Sequence, residues 1–271
     1  MSGSARMIVA LCVLGLVMGF AVMGCKRAET PAAGGTQPPA GKEGATETPK
    51  ATTEAPKEAP KPAEPEKPMK PGAPELAIIH KCAAAPKLDG DLSDPCWKNA
   101  ELKGLWADVS SGKAADPQSK VFMCYDSQNL YVAFLNPEPK MDKIVAAVTD
   151  RDGTVYSDDS DEVFLDPSAG KHGYYHIIVN TKEVLYDARG KDAEAFNGTE
   201  KVAVKMMDKA WAVEMSIPLK DIGVDYAIKG ETWAANFCRN RQTEGTSQPF
   251  GWSDTGESFH NPAQFGKIKF E

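Results

Sequence analysis

The feature that most constrains the fold is a two-residue alternation of apolar and polar side chains, which recurs along residues 119–270. One clear example runs from Trp211 to Ile217 and ends at Pro218. A period of two places alternate side chains on opposite faces of a β-strand, whereas a helix requires a period near 3.6. Short strands separated by turn residues are typical of a sandwich or a barrel. The sequence therefore predicts an all-β domain.

Other runs follow the same alternation and define candidate core positions. The apolar residues that share one strand face are Leu130, Val132 and Phe134; Val163 and Leu165; Tyr175, Ile177 and Val179; Val202, Val204 and Met206; and Trp233, Ala235 and Phe237. We expect four tryptophans, Trp97, Trp106, Trp211 and Trp233, to be core residues. The only predicted helix spans 95–101, with Asp94 as its cap and Pro95 at its first position.

The first 24 residues have the organisation of a secretory signal peptide. Arg6 gives a positive start, and an apolar run follows from Met7 to Met23. The small residue Gly24 then precedes Cys25, which resembles the lipobox of bacterial lipoproteins. We expect Cys25 to carry the lipid and the chain to be held by this membrane anchor outside the cytoplasm, at a bacterial outer membrane, in the periplasm or at the cell surface.

Residues 25–75 differ in composition from the rest of the chain. Residues 26–75 hold 11 of the 20 prolines and contain no Ile, Leu, Val or aromatic residue. Such a segment cannot bury enough apolar surface to offset its ordering entropy. We expect a disordered linker rich in Pro, Ala, Glu and Lys, which separates the membrane anchor from one domain at 76–271.

Charge and cysteine content restrict the partners and the chemistry of that domain. The formal net charge of -7 argues against a nucleic-acid partner, which would favour a basic surface. Cys82, Cys96, Cys124 and Cys238 form an even set in an exported domain, which predicts two disulfides with unresolved pairing. The sequence has no GxSxG, P-loop, GxGxxG or HExxH motif. We therefore interpret the domain as a binding module and not as an enzyme.

Three stretches of the domain carry a family resemblance. They are 87–97 (KLDGDLSDPCW), 150–167 (DRDGTVYSDDSDEVFLDP) and 233–266, which contains Asn236, the sequence CRNR at 238–241, and the sequence GWSD at 251–254. In this order they resemble the family 9 carbohydrate-binding modules and their DOMON-like relatives. The resemblance implies a two-sheet antiparallel β-sandwich, jelly-roll-like, that holds a ligand pocket at one end or face.

The resemblance also implies a set of ligand-binding residues. In sugar-binding members two aromatic rings hold a pyranose, because the axial C–H face of the sugar is apolar. The matching rings here are Tyr156 and Trp252. Charged side chains then bind the hydroxyls, and the matching candidates are Arg151, Asp159, Arg239 and Arg241. The expected partner is a poly- or oligosaccharide.

Alternative functions and cofactors remain open from the sequence. The seven acids Asp150, Asp152, Asp158, Asp159, Asp161, Glu162 and Asp166 offer oxygen ligands for a structural Ca²⁺, although their spacing differs from an EF-hand. Some DOMON-like domains bind haem for electron transfer; the axial ligand would then come from Met123, Met206, Met207, Met215 or His176. A third alternative is a structural envelope lipoprotein with a protein partner.

Overall fold

The computed structural model describes residues 70–170 and 173–271, and these residues form thirteen strands and six short 3-10 helices. The signal segment 1–24, the lipidation candidate Cys25 and most of the linker at 25–75 lie outside the described residues. Within the described ranges, no helix combines the length and the apolar character that are needed to cross a bilayer.

The strands have the following bounds. They are β1 (Ala77–Lys81), β2 (Ala107–Asp108), β3 (Lys113–Ala114), β4 (Lys120–Tyr125), β5 (Asn129–Pro137), β6 (Ser160–Asp166), β7 (Tyr175–Asn180), β8 (Leu185–Arg189), β9 (Lys201–Met206), β10 (Ala210–Pro218), β11 (Thr232–Arg241), β12 (Gln248–Gly251) and β13 (Gly266–Phe270). The 3-10 helices are Pro95–Asn99, Met141–Lys143, Val155–Ser157, Ala193–Ala195, Thr243–Gly245 and Pro262–Gln264.

The strands form two sheets that are joined through β1. Sheet I has the order β9-β10-β5-β4-β1. In sheet II, β11 pairs with β6 along one edge and with β12 and β13 along the other, and β6 continues to β7 and β8. β1 pairs in parallel with β4 and with β13, whereas the other strand pairs among the described residues are antiparallel. The predicted all-β sandwich is confirmed, with β1 as a parallel link between the sheets.

The core lies between the two sheets, where the inward sets of side chains meet. The ring of Phe134 on β5 packs edge-on against Phe237 on β11, with 6.3 Å between the ring centroids. Trp211 from sheet I and Trp233 from sheet II are both fully buried in the same apolar cluster. The predicted burial of all four tryptophans is confirmed: Trp106, Trp211 and Trp233 belong to this cluster, and Trp97 belongs to a smaller buried cluster on the outer face of sheet I.

The predicted helix at 95–101 is a shorter 3-10 helix, Pro95–Asn99. The Asp94 side chain makes no capping hydrogen bond to this helix, and instead its carboxylate accepts the backbone N–H of Lys87 at 3.0 Å. The helix lies on the outer face of sheet I, where Trp97 packs with Tyr131 and Ala133 of β5. Tertiary packing of Trp97 therefore positions this helix, and Asp94, the predicted cap, instead binds the backbone of Lys87.

The expectation of two disulfides is wrong in this structure, because Cys82, Cys96, Cys124 and Cys238 are free thiols. Cys238 lies on the outer face of sheet II, in a cluster with Phe164 and Phe259. Cys82 and Cys124 belong to the cluster on sheet I, with Cys96 packed against it. The sandwich thus separates Cys238 from the other three cysteines, and two bonds within this set of four cannot form.

Candidate functional site

Trp252 is a core residue and not a ligand contact. It is fully buried, and its ring packs edge-on against Phe237 with 5.4 Å between the centroids. Its indole Nε1 donates to the Lys103 carbonyl at 3.0 Å. A Cβ at Gly266 would lie 2.4 Å from the Trp252 ring, so the glycine allows the strand to pass closely. With no exposed surface, this ring cannot stack on a ligand, and the expectation for Trp252 is corrected.

Arg239 and Arg241 point towards the gap between the sheets and share one carboxylate. Arg239 Nη2 donates to Glu138 Oε2 at 3.0 Å, and Arg241 Nε donates to the same oxygen at 2.7 Å. The side chains of Arg239 and Glu138 are fully buried. Because Phe237 precedes them on the same strand face, the period of two directs both arginines inward. The expectation that Arg239 and Arg241 bind a ligand is therefore corrected: they hold the two sheets together.

The acidic residues before β6 bind the chain's own backbone. Both oxygens of Asp158 accept N–H groups, from Ala147 at 2.9 Å and from Val148 at 2.9 Å. Asp159 is fully buried and accepts the N–H of Val145 at 2.8 Å. Burial raises the pKa of the Asp159 carboxyl. The structure therefore does not offer Asp159 to a ligand, which corrects that expectation.

Arg151 is half-exposed and is held by a pair of buried acids. Its Nη2 donates to Asp187 Oδ2 at 2.9 Å and to the Gly198 carbonyl at 3.2 Å. Glu200 lies 3.5 Å from the same nitrogen. The guanidinium is therefore engaged in a structural ion pair, although part of it remains open to solvent beside the loop that carries Tyr156.

Tyr156 is the one predicted ring that faces solvent, with 52% of its surface exposed. It lies in the 3-10 helix Val155–Ser157, directly before β6. Gln242, at the end of β11, donates through Nε2 to the Tyr156 carbonyl at 3.2 Å, which fixes this turn against sheet II. Tyr156 is thus available to a ligand at the edge of sheet II.

A polar cluster that the sequence did not reveal lies on the outer face of sheet II. The strand register places Phe164 opposite His176 and Ser160 opposite Asn240. These side chains point outward, and along each strand they alternate with residues that point into the core. His176 Nε2 donates to Glu162 Oε2 at 2.6 Å, and Asn240 Nδ2 donates to Glu162 Oε1 at 2.6 Å. Glu162 thus links β7 to β11, and the three side chains form a polar floor across three strands.

Aromatic side chains surround this polar floor. The His176 ring stacks on Phe164, with centroids 4.1 Å apart, and contacts the edges of Tyr186 at 5.7 Å and His260 at 4.9 Å. The Tyr174 hydroxyl and His260 Nδ1 are hydrogen-bonded at 2.7 Å. Burial lowers the pKa of His260 to about 4, so its imidazole is neutral at pH 7. The rim is therefore aromatic and uncharged at this position.

Tyr186 lies at the edge of the polar floor, where its ring contacts His176. Burial raises the pKa of the Tyr186 hydroxyl, and the nearby acidic groups Asp152, Glu162 and Tyr156 raise it further. The Nδ1 atom of His176 is buried and has no hydrogen-bond partner in the described part of the protein. Directed polar atoms beside aromatic faces suit a ligand that has both hydroxyl groups and an apolar face.

A groove of about 1060 Å³ lies at one end of sheet I between Lys81, Tyr131 and Tyr226. Its Tyr131 hydroxyl already donates to Asp126 Oδ2 at 2.7 Å. We locate the candidate site on sheet II because only there does a buried imidazole atom without a partner coincide with a polar cluster and a surrounding aromatic rim, among the residues that the structure describes.

The cofactor candidates do not gather around one position. Met123 and Met215 are buried in the core between the sheets, whereas Met206 and Met207 are exposed at the end of β9. His176 lies on the outer face of sheet II and is bonded to Glu162. In residues 70–170 and 173–271, no group of three or more His, Cys, Asp or Glu side chains is arranged to hold a metal ion.

The polar floor was partly accessible to sequence reasoning. Val163 and Leu165 predict that Glu162 points away from the core, and Trp233 predicts the same for Asn240. The sequence does not give the register between β6, β7 and β11, which are separated along the chain. Only that register brings Glu162, His176 and Asn240 into contact.

The fold of this chain is similar to that of solved two-sheet β-sandwiches. It is similar to a family 9 module from Caldicellulosiruptor kristjanssonii in complex with cellotriose, at 20% identity over 72% of this chain and 93% of that one, with a TM-score of 0.55. The same organism's module in complex with glucose gives 22% identity, 72% and 95% coverage, and a TM-score of 0.53. A Bacteroides uniformis protein that is assigned by name to carbohydrate binding gives 19% identity, 73% and 99% coverage, and a TM-score of 0.60.

The family model described as carbohydrate family 9 binding domain-like matches residues 88–271, which is more than half of the chain. The chain belongs to this family. No curated protein matches it.

Proposed function

We propose that this chain is a non-catalytic carbohydrate-binding module that binds a saccharide on the outer face of sheet II. The observation that carries the proposal is the polar floor of Glu162, His176 and Asn240 beside the ring of Tyr186, with the exposed ring of Tyr156 on the turn directly before β6. A pyranose needs directional hydrogen bonds for its hydroxyls and an apolar surface for its C–H face, and this arrangement supplies both.

The floor suits hydroxyl recognition because its groups are nearly desolvated. Glu162 and His176 are each 3% exposed, and Asn240 is 7% exposed. Hydrogen bonds in such surroundings are stronger than in water. His176 Nδ1 is buried without a hydrogen-bond partner in the described part of the protein, so a side chain of the aromatic rim must move before a ligand hydroxyl reaches this atom. The similar modules in complex with cellotriose and glucose support neutral glucose-based ligands as the first probes.

Calorimetric titration of the full-length protein with cellotriose and glucose tests this proposal. We expect Tyr156→Ala and Tyr186→Ala to weaken binding by about tenfold each, which corresponds to about 1.4 kcal/mol of lost stacking. Tyr226→Ala is the matched control, because Tyr226 is also an exposed tyrosine, at 48%, and lies away from the floor. Chromatography should recover the oligosaccharide uncleaved.

Three outcomes would contradict the saccharide site. Equal loss of binding in the Tyr226 control would place the ligand elsewhere. No binding to a panel of neutral and acidic glycans, together with a stable co-purifying protein, would favour a structural envelope lipoprotein. A Soret band in the purified protein would favour the haem alternative.

We also propose that the module is exported and held at a membrane through lipid on Cys25. The support is the sequence of Arg6, the apolar run 7–23 and Gly24 before the cysteine. Intact-mass analysis of protein from bacterial membranes should show an N-terminal Cys25 with diacylglycerol. Cys25→Ser should abolish the lipid and release the protein from the membrane fraction, and a membrane-bound unlipidated Cys25→Ser protein would contradict the anchor.

A further inference from the structure

Three thiols gather on the outer face of sheet I, far from the proposed saccharide site. Cys124 lies on β4, and the parallel pairing with β1 places His80 opposite it. Cys82 is the first residue after the end of β1. Cys96 comes from the helix Pro95–Asn99, which packs over β4. The sequence separates these cysteines by 14 and 28 positions, and only the tertiary structure brings them together.

Within this cluster Cys124 is the common neighbour. Cys124 and Cys82 belong to the same apolar cluster, and Cys96 packs against it. Cys82 follows β1, which pairs with β4, and Cys96 lies in the helix that packs over β4, so Cys124 on β4 lies between the elements that carry the other two cysteines. Cys82 Sγ also donates to the Tyr125 carbonyl at 3.1 Å, which orients that thiol beside β4. The contacts therefore favour a bond from Cys124 to either neighbour over a bond between the two neighbours.

The cluster is accessible to small reagents. Cys82, Cys96 and Cys124 all line a cavity of about 770 Å³ on the outer face of sheet I. Cys96 is half-buried, whereas Cys82 and Cys124 are buried. An incoming disulfide would therefore meet the Cys96 sulfur first and the Cys124 sulfur behind it.

We propose that this cluster is a site of reversible oxidation at which Cys124 forms a single disulfide with Cys96 or Cys82 and the third thiol stays reduced. The oxidant is a small-molecule or protein disulfide, R–S–S–R. A Cys96 thiolate attacks one of its sulfurs, which gives a mixed disulfide and releases R–SH. The Cys124 thiolate then attacks the Cys96 sulfur and releases the second R–SH, so two protein thiols are oxidised and one external disulfide is reduced.

The environment of the thiols sets the conditions of this reaction. Burial raises the pKa of the Cys96 thiol to about 11 and also raises the pKa values of Cys82 and Cys124. Few thiolates exist at pH 7, so oxidation is slow there and accelerates as the pH rises. A thiol of raised pKa is a poor leaving group, so the disulfide, once formed, resists reduction.

Peptide mapping of the full-length protein after incubation with oxidised glutathione at pH 8.5 tests the proposal. Trypsin places Cys82, Cys96 and Cys124 on separate peptides, since lysines stand at 81, 87, 98 and 120. We expect one disulfide per domain that contains Cys124, with Cys238 alkylated as a free thiol. Cys82→Ser and Cys96→Ser should each keep a bond to Cys124 through the remaining neighbour, and Cys238→Ser should change nothing.

The double variant Cys82→Ser, Cys96→Ser keeps the buried Cys124 and should form no internal disulfide. A bond between Cys82 and Cys96, any bond to Cys238, or full alkylation of Cys124 after incubation would overturn the proposal. Saccharide titration of the same samples keeps the two proposals distinct, because the thiol cluster and the polar floor lie on different sheets.

Discussion

The indole Nε1 of Trp97 donates a hydrogen bond to Glu214 Oε1 at 2.7 Å, and both side chains are buried on the outer face of sheet I. The other oxygen, Glu214 Oε2, accepts the backbone N–H groups of Asp89 at 2.8 Å and Gly90 at 2.7 Å. One carboxylate from the centre of β10 therefore fixes the whole segment 89–97 over the sheet. The KLDGDLSDPCW stretch thus supplies the three donors through which Glu214 holds this segment against sheet I.

Removal of that carboxylate should destabilise the domain. In Glu214→Ala the three donors lose their acceptor, and each buried unpaired donor costs about 1–3 kcal/mol. We expect the free energy of unfolding to fall by about 3 kcal/mol or more in urea titration. Glu257→Ala, on an exposed loop, is the control and should change it little. Similar losses in the two variants would show that Glu214 has no anchoring role.

Gly90 is required by a close approach as well as by its backbone. Its φ is +71°, and a Cβ there would lie 2.7 Å from the Cβ and N of Lys205. Gly112 has a similar φ, +65°, but a Cβ there would meet open space. We expect both alanine variants to lose about 1–2 kcal/mol from backbone strain, and Gly90→Ala to lose a further amount of about 1–3 kcal/mol from overpacking. Thermal unfolding of the pair measures the difference, and equal shifts in Tm would exclude the clash.

Trp252 and Tyr156 should respond to substitution in opposite ways. Trp252→Ala opens a large cavity between the sheets and should reduce the free energy of unfolding by about 3–5 kcal/mol. Tyr156→Ala removes an exposed ring and should leave that energy almost unchanged. Urea titration followed by circular dichroism compares them. A stable Trp252→Ala protein would contradict the core position of this ring.

The lowered pKa of His260 predicts a loss of stability in acid. Burial holds the folded-state pKa of His260 at about 4, whereas an unperturbed histidine has a pKa of 6.5. The unfolded chain therefore binds the proton more readily, so this group costs stability as the pH falls below about 6.5, and the cost becomes complete below about 4. We expect the Tm of the wild type to fall more steeply across this range than that of His260→Gln. Parallel pH profiles for the two proteins would show that His260 does not titrate in this way.

The cysteines and arginines show that residue contacts between distant parts of the chain could not be predicted from the sequence. The even number of cysteines predicted two disulfides, but Cys124 on sheet I and Cys238 on sheet II have their side chains on opposite outer faces. The strand period placed Arg239 and Arg241 on one face correctly. Their partner, Glu138, lies 101 and 103 positions away along the chain, and nothing local identifies it.

The sequence by itself determined the strands β5, β6, β7, β10 and β11, their inward faces and the family, because these follow from side-chain alternation and from motifs that are local in the chain. Tertiary structure alone decided which outward residues meet. Glu162, His176 and Asn240 form one floor, and Cys82, Cys96 and Cys124 form one cluster, only because strands far apart in sequence pair in a particular register. The tertiary structure also decided that Trp252 is buried, because an aromatic ring on a loop is buried or exposed according to the side chains that pack over it.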